Sequence, residues 1–215
     1  MATKPVLADL TALYRGDVAI ESVGGVDAAR RVQAGEPFDV VILAADAIDK
    51  LVAGGRIVAG SKVDLVRSGV AVAIRAGAPR PDIGSEDALR RAVAGARTLG
   101  YSTGPSGVQL AKLFERWGIA EAIKGKIVTA PPGVPVGSLV AKGEVDLGFQ
   151  QLSELMHLPG VDVLGPLPDA TQIVTTFSGA VCATSTQPQA AGDFLAFMAS
   201  PAAEAVKRRH GMDPA

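Results

Sequence analysis

Residues 98–117, TLGYSTGPSGVQLAKLFERW, pass from a short apolar run through a Ser/Thr/Gly/Pro turn into a helical pattern. Thr98–Ser102 reads as a strand, and Ser106–Trp117 as a helix closed by Gly118. Between them, Tyr101-Ser102-Thr103-Gly104-Pro105-Ser106-Gly107-Val108 carries more hydroxyls and glycines than a helix cap needs. This strand–turn–helix unit is the repeating piece of an α/β fold.

Working outward, short apolar or alternating runs predict strands at Val18–Val23, Phe38–Ala44, Gly69–Arg75, Lys126–Ala130, Val145–Phe149, Val161–Leu164 and Ile173–Ala183. Helical spacing joins Val6, Leu7, Leu10 and Leu13 behind Pro5, which suits a first helical turn. Further helices are predicted over Val26–Val32, Ala47–Val52 before Gly54-Gly55, from Ser85-Glu86-Asp87, over Gln189–Met198 and over Ala202–Arg209. The alternation predicts largely parallel sheets. Two long strand patterns, Val66–Arg75 and Ile173–Ala183, are read as crossovers between two lobes: residues 1–76 with 171–215, and residues 77–170.

Composition narrows the function. Of 215 residues, 21 are Lys or Arg and 22 are Asp or Glu, so nothing supplies the cationic surplus that nucleic acid demands. Aromatic residues are only 4% of the chain, which disfavours recognition by stacking on sugars or bases. One cysteine, Cys182, and two histidines, His157 and His210, are too few and too scattered for a Cys- or His-based metal centre. Cys182 lies inside an apolar strand and reads as a buried hydrophobe. No metal and no cofactor is expected. No apolar run approaches the roughly 18 residues of a membrane span, so no membrane insertion is expected. Met1-Ala2-Thr3-Lys4-Pro5 lacks a signal peptide's apolar segment.

The chemistry is expected at helix starts. Gly24-Gly25-Val26, Ser102–Gly107 and the turn around Val134 each precede a helix, as Thr3-Lys4 does at the chain start. First-turn N–H groups lack intrahelical partners and carry about half a positive charge, so such starts hold small anions without a buried cation. Glycine and proline before helices also serve simple capping and turning, and that reading stands beside the other. Gly24-Gly25 lacks the third glycine of a dinucleotide fingerprint, and Gly104–Gly107 is not followed by the Lys-Ser/Thr of a P-loop. Gln150 and Gln151 at a strand end offer amide donors for a carboxylate, or a plain solvent-facing turn. For proton transfer the ionisable candidates are Lys4, Glu21, Asp27 and Glu154; Glu154 equally complements a helix dipole.

These stretches resemble a known family. Ala34-Gly35-Glu36-Pro37-Phe38-Asp39 with Val40–Leu43, then Ala47-Ile48-Asp49, Gly54–Ser61, the tail Phe197–Ala203 and Gly211-Met212-Asp213-Pro214, are similar to the molybdate-binding-protein-like group of type 2 periplasmic substrate-binding proteins. The resemblance covers nearly the whole chain. It implies two α/β lobes closing on a small anion held by hydroxyls and backbone amides, among them Gly24-Gly25-Val26, Pro105-Ser106-Gly107 and the Val134 turn. It also implies an ABC permease as partner and a periplasmic location, although the quoted N-terminus leaves a cytoplasmic one open.

Molybdate-specific members carry a Tyr where Gln151 stands and a Ser run where Gly24-Gly25 stands. The Gln suits a carboxylate better than a tetrahedral metal oxyanion. A branch that includes aconitate isomerase is similar over Glu21–Ala28, Tyr101–Gly107 and Gly148–Leu155. It implies, as the alternative, an isomerase shifting a double bond in a tricarboxylate. Members of the family begin with a strand and a Ser-containing loop, and Met1 falls about where that loop ends, so that strand is expected to be missing.

Overall fold

The computed structural model describes residues 2–131 and 133–215; Met1 and Pro132, the latter in the expected Val134 turn, lie outside the described residues. The first elements are α1 (Lys4–Leu13), α2 (Gly25–Gln33), β1 (Val40–Ala44), α3 (Ala45–Ala53) and the long strand β2 (Val63–Arg75). Next come α4 (Glu86–Gly95), β3 (Leu99–Ser102), α5 (Pro105–Arg116), α6 (Ala120–Ile123) and β4 (Ile127–Ala130). The chain continues through α7 (Val136–Lys142), β5 (Leu147–Gln151), α8 (Leu152–Leu155) and β6 (Val161–Pro166). It ends with β7 (Val174–Val181), α9 (Pro188–Ala199), α10 (Glu204–Arg209) and β8 (Asp213–Pro214).

The chain divides into two compact units, Met1–Ser68 with Thr175–Ala215, and Gly69–Val174. The division falls inside β2, between Ser68 and Gly69, rather than at the end of that strand.

In the discontinuous unit, β7 lies between β1 and β2. It pairs antiparallel with β1 from Val40↔Val181 to Ala44↔Phe177, and β8 joins β2 at Val66↔Pro214. Val6, Leu7 and Leu10 share one face of α1, as their spacing requires, and are buried in a core with Leu65, Phe194, Leu195, Met198 and Val206. A second core gathers Val41, Leu43, Ile48, Leu51 and Ala180. Each buried Val, Leu, Ile, Phe or Met side chain among these contributes roughly 1.5–3 kcal/mol. Helix α3 stops where Gly54 and Gly55 follow, Gly55 taking φ +68, a left-handed turn open to glycine.

In the continuous unit, β3 runs parallel to both β4 and β5. The second half of β2 pairs antiparallel with β5, from Val70↔Gln151 to Ala73↔Gly148, and with β6. Helices α4 and α5 bury Leu89, Val93, Leu110, Leu113 and Phe114 against Leu99, Leu147 and Phe149. Helix α4 starts as its sequence predicts: the Ser85 hydroxyl accepts the Ala88 N–H at 3.2 Å, with Glu86 and Asp87 in the first turn. Gly148 lets α7 approach the sheet, since a Cβ there would fall 2.4 Å from Val140.

Three expectations need correction. The sheets are mixed: the β3 ladders are parallel, whereas β1–β7, β2–β5 and β2–β6 are antiparallel. Parallel pairing needs a crossover connection, which α5 with α6 supplies between β3 and β4, and α7 between β4 and β5. Val18–Val23 is not a strand; among the described residues it joins no ladder, and Ile20 is exposed. A short alternating run with no neighbour to take its N–H and C=O groups stays irregular. The helix expected over Ala202–Arg209 opens as a single 3₁₀ turn, Pro201–Ala203, and becomes α-helical at Glu204.

Candidate functional site

The parallel ladder brings three strand ends of the continuous unit into line. Ser102 pairs with Ala130, and two residues earlier Gly100 pairs with Gly148, so Ser102 ends level with Ala130 and Gln150. The turn 102–107, the turn after β4 and the run Gln150–Glu154 therefore occupy one edge of one sheet. Ligands of open α/β sheets bind at such carboxyl edges.

Within the first turn, Gly104 N–H reaches the Ser102 hydroxyl at 3.4 Å, and Val108 N–H closes the first helical turn on Gly104 O at 3.1 Å. Pro105 has no N–H, so the N–H groups of Ser106 and Gly107 are left without an intrahelical acceptor. Thr103 and Pro105 are exposed, Ser102, Gly104 and Ser106 half-buried, and Gly107 buried. Gly107 cannot be replaced: its Cβ would fall 1.7 Å from Ser102 O, because α5 starts against the end of β3. Burial raises the Tyr101 phenol above its ordinary range, which keeps a neutral hydroxyl beside this turn.

The Val134 turn is more self-contained. Val134 N–H donates to Pro131 O at 3.0 Å, and Ser138 N–H to Pro135 O at 3.0 Å. The Gly137 N–H of α7 is taken by the Gln150 side-chain oxygen at 3.0 Å.

Gln150 and Gln151 lie inside β5 rather than in a turn beyond it, and both are buried. Successive strand residues point to opposite faces, so the two amides do not act on one face of the sheet. Gln150 is engaged locally: its oxygen holds Gly137, and its Nε2 donates to the Glu154 carboxylate. It positions the α7 start and Glu154. Ser153, next in this run, escaped the reading of the sequence although it sits between quoted residues. Its hydroxyl is buried and has no hydrogen-bond partner among the described residues.

The remaining candidates belong to the discontinuous unit. Ala28 N–H closes on Gly24 O at 2.9 Å, leaving the Gly25, Val26 and Asp27 N–H groups at the start of α2 without intrahelical acceptors. Val26 is 78% exposed. A Cβ on Gly25 would lie 3.8 Å from Leu43 of β1, so the α2 start sits beside the end of that strand. Helix α3 begins there directly at Ala45, a second helix start whose only sequence signal is Asp46 in its first turn. Thr3 precedes α1, its carbonyl accepting Leu7 N–H at 2.9 Å, and Lys4 is exposed.

The acidic candidates are engaged. Glu21 meets Arg31 at 2.5 and 3.0 Å, and this hydrogen bonding holds its carboxyl below the usual range. Asp27 pairs with Arg30 at 3.0 Å. A carboxylate stabilised in its ionised form is a weaker base. Of the other singled-out residues, His210 meets Asp9 at 2.9 Å, and burial followed by the charge of Asp39 pushes the Cys182 thiol up to about 11. Among the described residues no group of three acidic, His or Cys side chains is arranged to hold a metal, and no helix is long and apolar enough to cross a membrane.

Residues 2–213 match the family described as bacterial extracellular solute-binding protein. An aconitate isomerase from Pseudomonas sp is 42% identical over 185 residues, which is 86% of this chain and 70% of that protein. Among solved structures, the periplasmic molybdate-binding protein of Azotobacter vinelandii superposes with a TM-score of 0.79 at 19% identity, over 98% of this chain and 93% of that one. The sulfate-binding protein of Mycobacterium tuberculosis H37Rv superposes with a TM-score of 0.77 at 19% identity, over 98% and 83% of the two chains. The fold is that of type 2 periplasmic binding proteins, two α/β lobes.

Proposed function

We propose that this chain, which belongs to the bacterial extracellular solute-binding protein family, holds a small polycarboxylate. The reading rests on the N–H groups of Ser106 and Gly107, which lack an intrahelical acceptor, in a turn whose preceding strand end lies level with the end of β5 in the parallel ladder. Amide dipoles at a helix start bind a carboxylate without a neutralising cation. The 42% identity with an aconitate isomerase favours a tricarboxylate over a metal oxyanion. In this reading the protein works in the periplasm, and an ABC permease receives its ligand.

Thermal stability in the presence of cis-aconitate, trans-aconitate, citrate, molybdate or sulfate tests this. A ligand at a hundredfold excess over its dissociation constant stabilises by about 2.7 kcal/mol. Stabilisation by the carboxylates is expected; stabilisation by molybdate alone would overturn the reading. Ser106→Ala is expected to weaken binding by roughly 1–2 kcal/mol.

The same relative supports a second reading, in which the bound tricarboxylate is isomerised. A base removes a proton from the methylene next to a carboxylate. The electron pair moves into the adjacent carbon–carbon bond, and a proton returns to the far alkene carbon, so the double bond shifts and no atom is lost. Lys4, Glu21, Asp27 and Glu154 are the candidate bases. Incubating cis-aconitate with the protein in D2O and following the alkene signals by NMR decides: trans-aconitate carrying deuterium supports isomerisation, and unchanged cis-aconitate ends it.

A further inference from the structure

Beyond its first turn, α5 faces the turn Ala170–Ile173 of the same unit across a cavity of about 290 Å³. Gln109, Lys112 and Arg116, spaced to lie along one face of the helix, line one wall; Thr171 and Gln172 line the other. No carboxylate is among the lining side chains. Glu86 takes one guanidinium nitrogen of Arg116 at 3.3 Å and steadies it at the end of the cavity.

Gln172 gives the site its polarity. Its side-chain oxygen accepts the N–H groups of both Ile173, at 2.8 Å, and Val70, at 3.2 Å. That fixes the amide plane and engages the oxygen, so the NH₂ remains as a donor only. The backbone approaches it so closely that a Cβ on Gly69 would fall 3.1 Å from this nitrogen. Lys112, the Glu86-paired Arg116 and the Gln172 amide, with no carboxylate lining the cavity, suit a multiply charged anion.

We propose that this cavity is a second anion site, separate from the strand edge, for a small molecule bearing a phosphate or at least two carboxylates. Because the Val70 N–H of β2 is shared by the Ile173 carbonyl, at 3.0 Å, and the Gln172 side-chain oxygen, at 3.2 Å, occupancy at Gln172 tightens the backbone where both crossover segments enter this unit.

The test is an NMR titration of the full chain with inorganic phosphate and, separately, citrate. Expected are saturable shifts at Lys112, Arg116 and Gln172 with either probe, and slower exchange of the Val70 amide. Whichever probe saturates first identifies the preferred chemistry. Lys112→Ala should weaken binding at least about tenfold, the loss of one charge-assisted contact, while Lys124→Ala, an exposed cation elsewhere on this unit, leaves it unchanged. Absence of saturable shifts with both probes, or an equal loss in the two variants, overturns the proposal. Signals of Ser106 and Gly107 report the strand edge separately, so failure at one site is not read as failure at the other.

Discussion

The side-chain oxygen of Gln150 accepts the backbone N–H of Gly137 at 3.0 Å, and both residues are buried. Replacing Gln150 with Leu strands that N–H and releases Glu154 from the amide that holds it. The expected loss is about 1–3 kcal/mol of stability, the cost of an unsatisfied buried donor. Urea denaturation measures it, and a variant as stable as the parent would show that Gly137 finds another acceptor.

Gly107→Ala places a Cβ 1.7 Å from Ser102 O, against backbone that has no flexible end to yield. Overpacking of this severity is expected to cost about 3 kcal/mol. Gly125→Ala, where a Cβ meets nothing, is the matched control and should cost far less. Parallel melting curves of the two variants check this.

Acid should destabilise the fold through three carboxylates. Hydrogen bonds from Arg97 to Asp146, from His210 and then Arg209 to Asp9, and from Arg31 to Glu21 all hold these groups below their ordinary values. A depressed folded-state value means the stabilisation is fully present above the unfolded value, about 4, and disappears as pH falls through the folded one. Asp146 is the least exposed of the three, at 28%, and accepts two guanidinium hydrogen bonds at 2.8 and 2.9 Å. Asp146→Asn is therefore expected to flatten the fall in melting temperature below about pH 4 more than Glu21→Gln does. Equal slopes would place the acid sensitivity elsewhere.

Cys182 should be inert in the folded protein. It is 1% exposed and its thiol is pushed up to about 11, so thiolate is scarce near pH 8. Reaction with a chromogenic disulfide is expected only at the rate of unfolding, with full labelling in guanidinium. Rapid labelling of native protein would contradict the burial.

Much of this was readable from local chemistry. Pro105 and Gly118 bracket α5, Ser85 caps α4, and Gly54-Gly55 ends α3 because caps and turns act within a few residues. The extent of β5 was hidden by polarity: two glutamines after Phe149 read as a strand end or a solvent-facing turn, whereas pairing with Val70 and Ala71 keeps them in the ladder. The opposite faces of the two amides follow only once that strand is extended. The short helices α6 and α8 carry too few residues for a period to show. The clasp of Gln172 on Val70 was beyond reach, since residues so far apart in sequence leave no local trace. Val18–Val23 shows the reverse error, an alternating pattern with no ladder to join.

The place of β7 between β1 and β2 has a consequence for biosynthesis. The continuous unit, Gly69–Val174, is complete in the nascent chain before β7 has been made. The other unit cannot close its sheet until Val181 has left the ribosome, nor cover its core until α9 follows. Val6, Leu7, Leu10 and Leu65 can be covered only once Phe194, Leu195 and Met198 of α9 are available, late in the chain. The continuous unit thus has its core residues together in the chain before the discontinuous unit does.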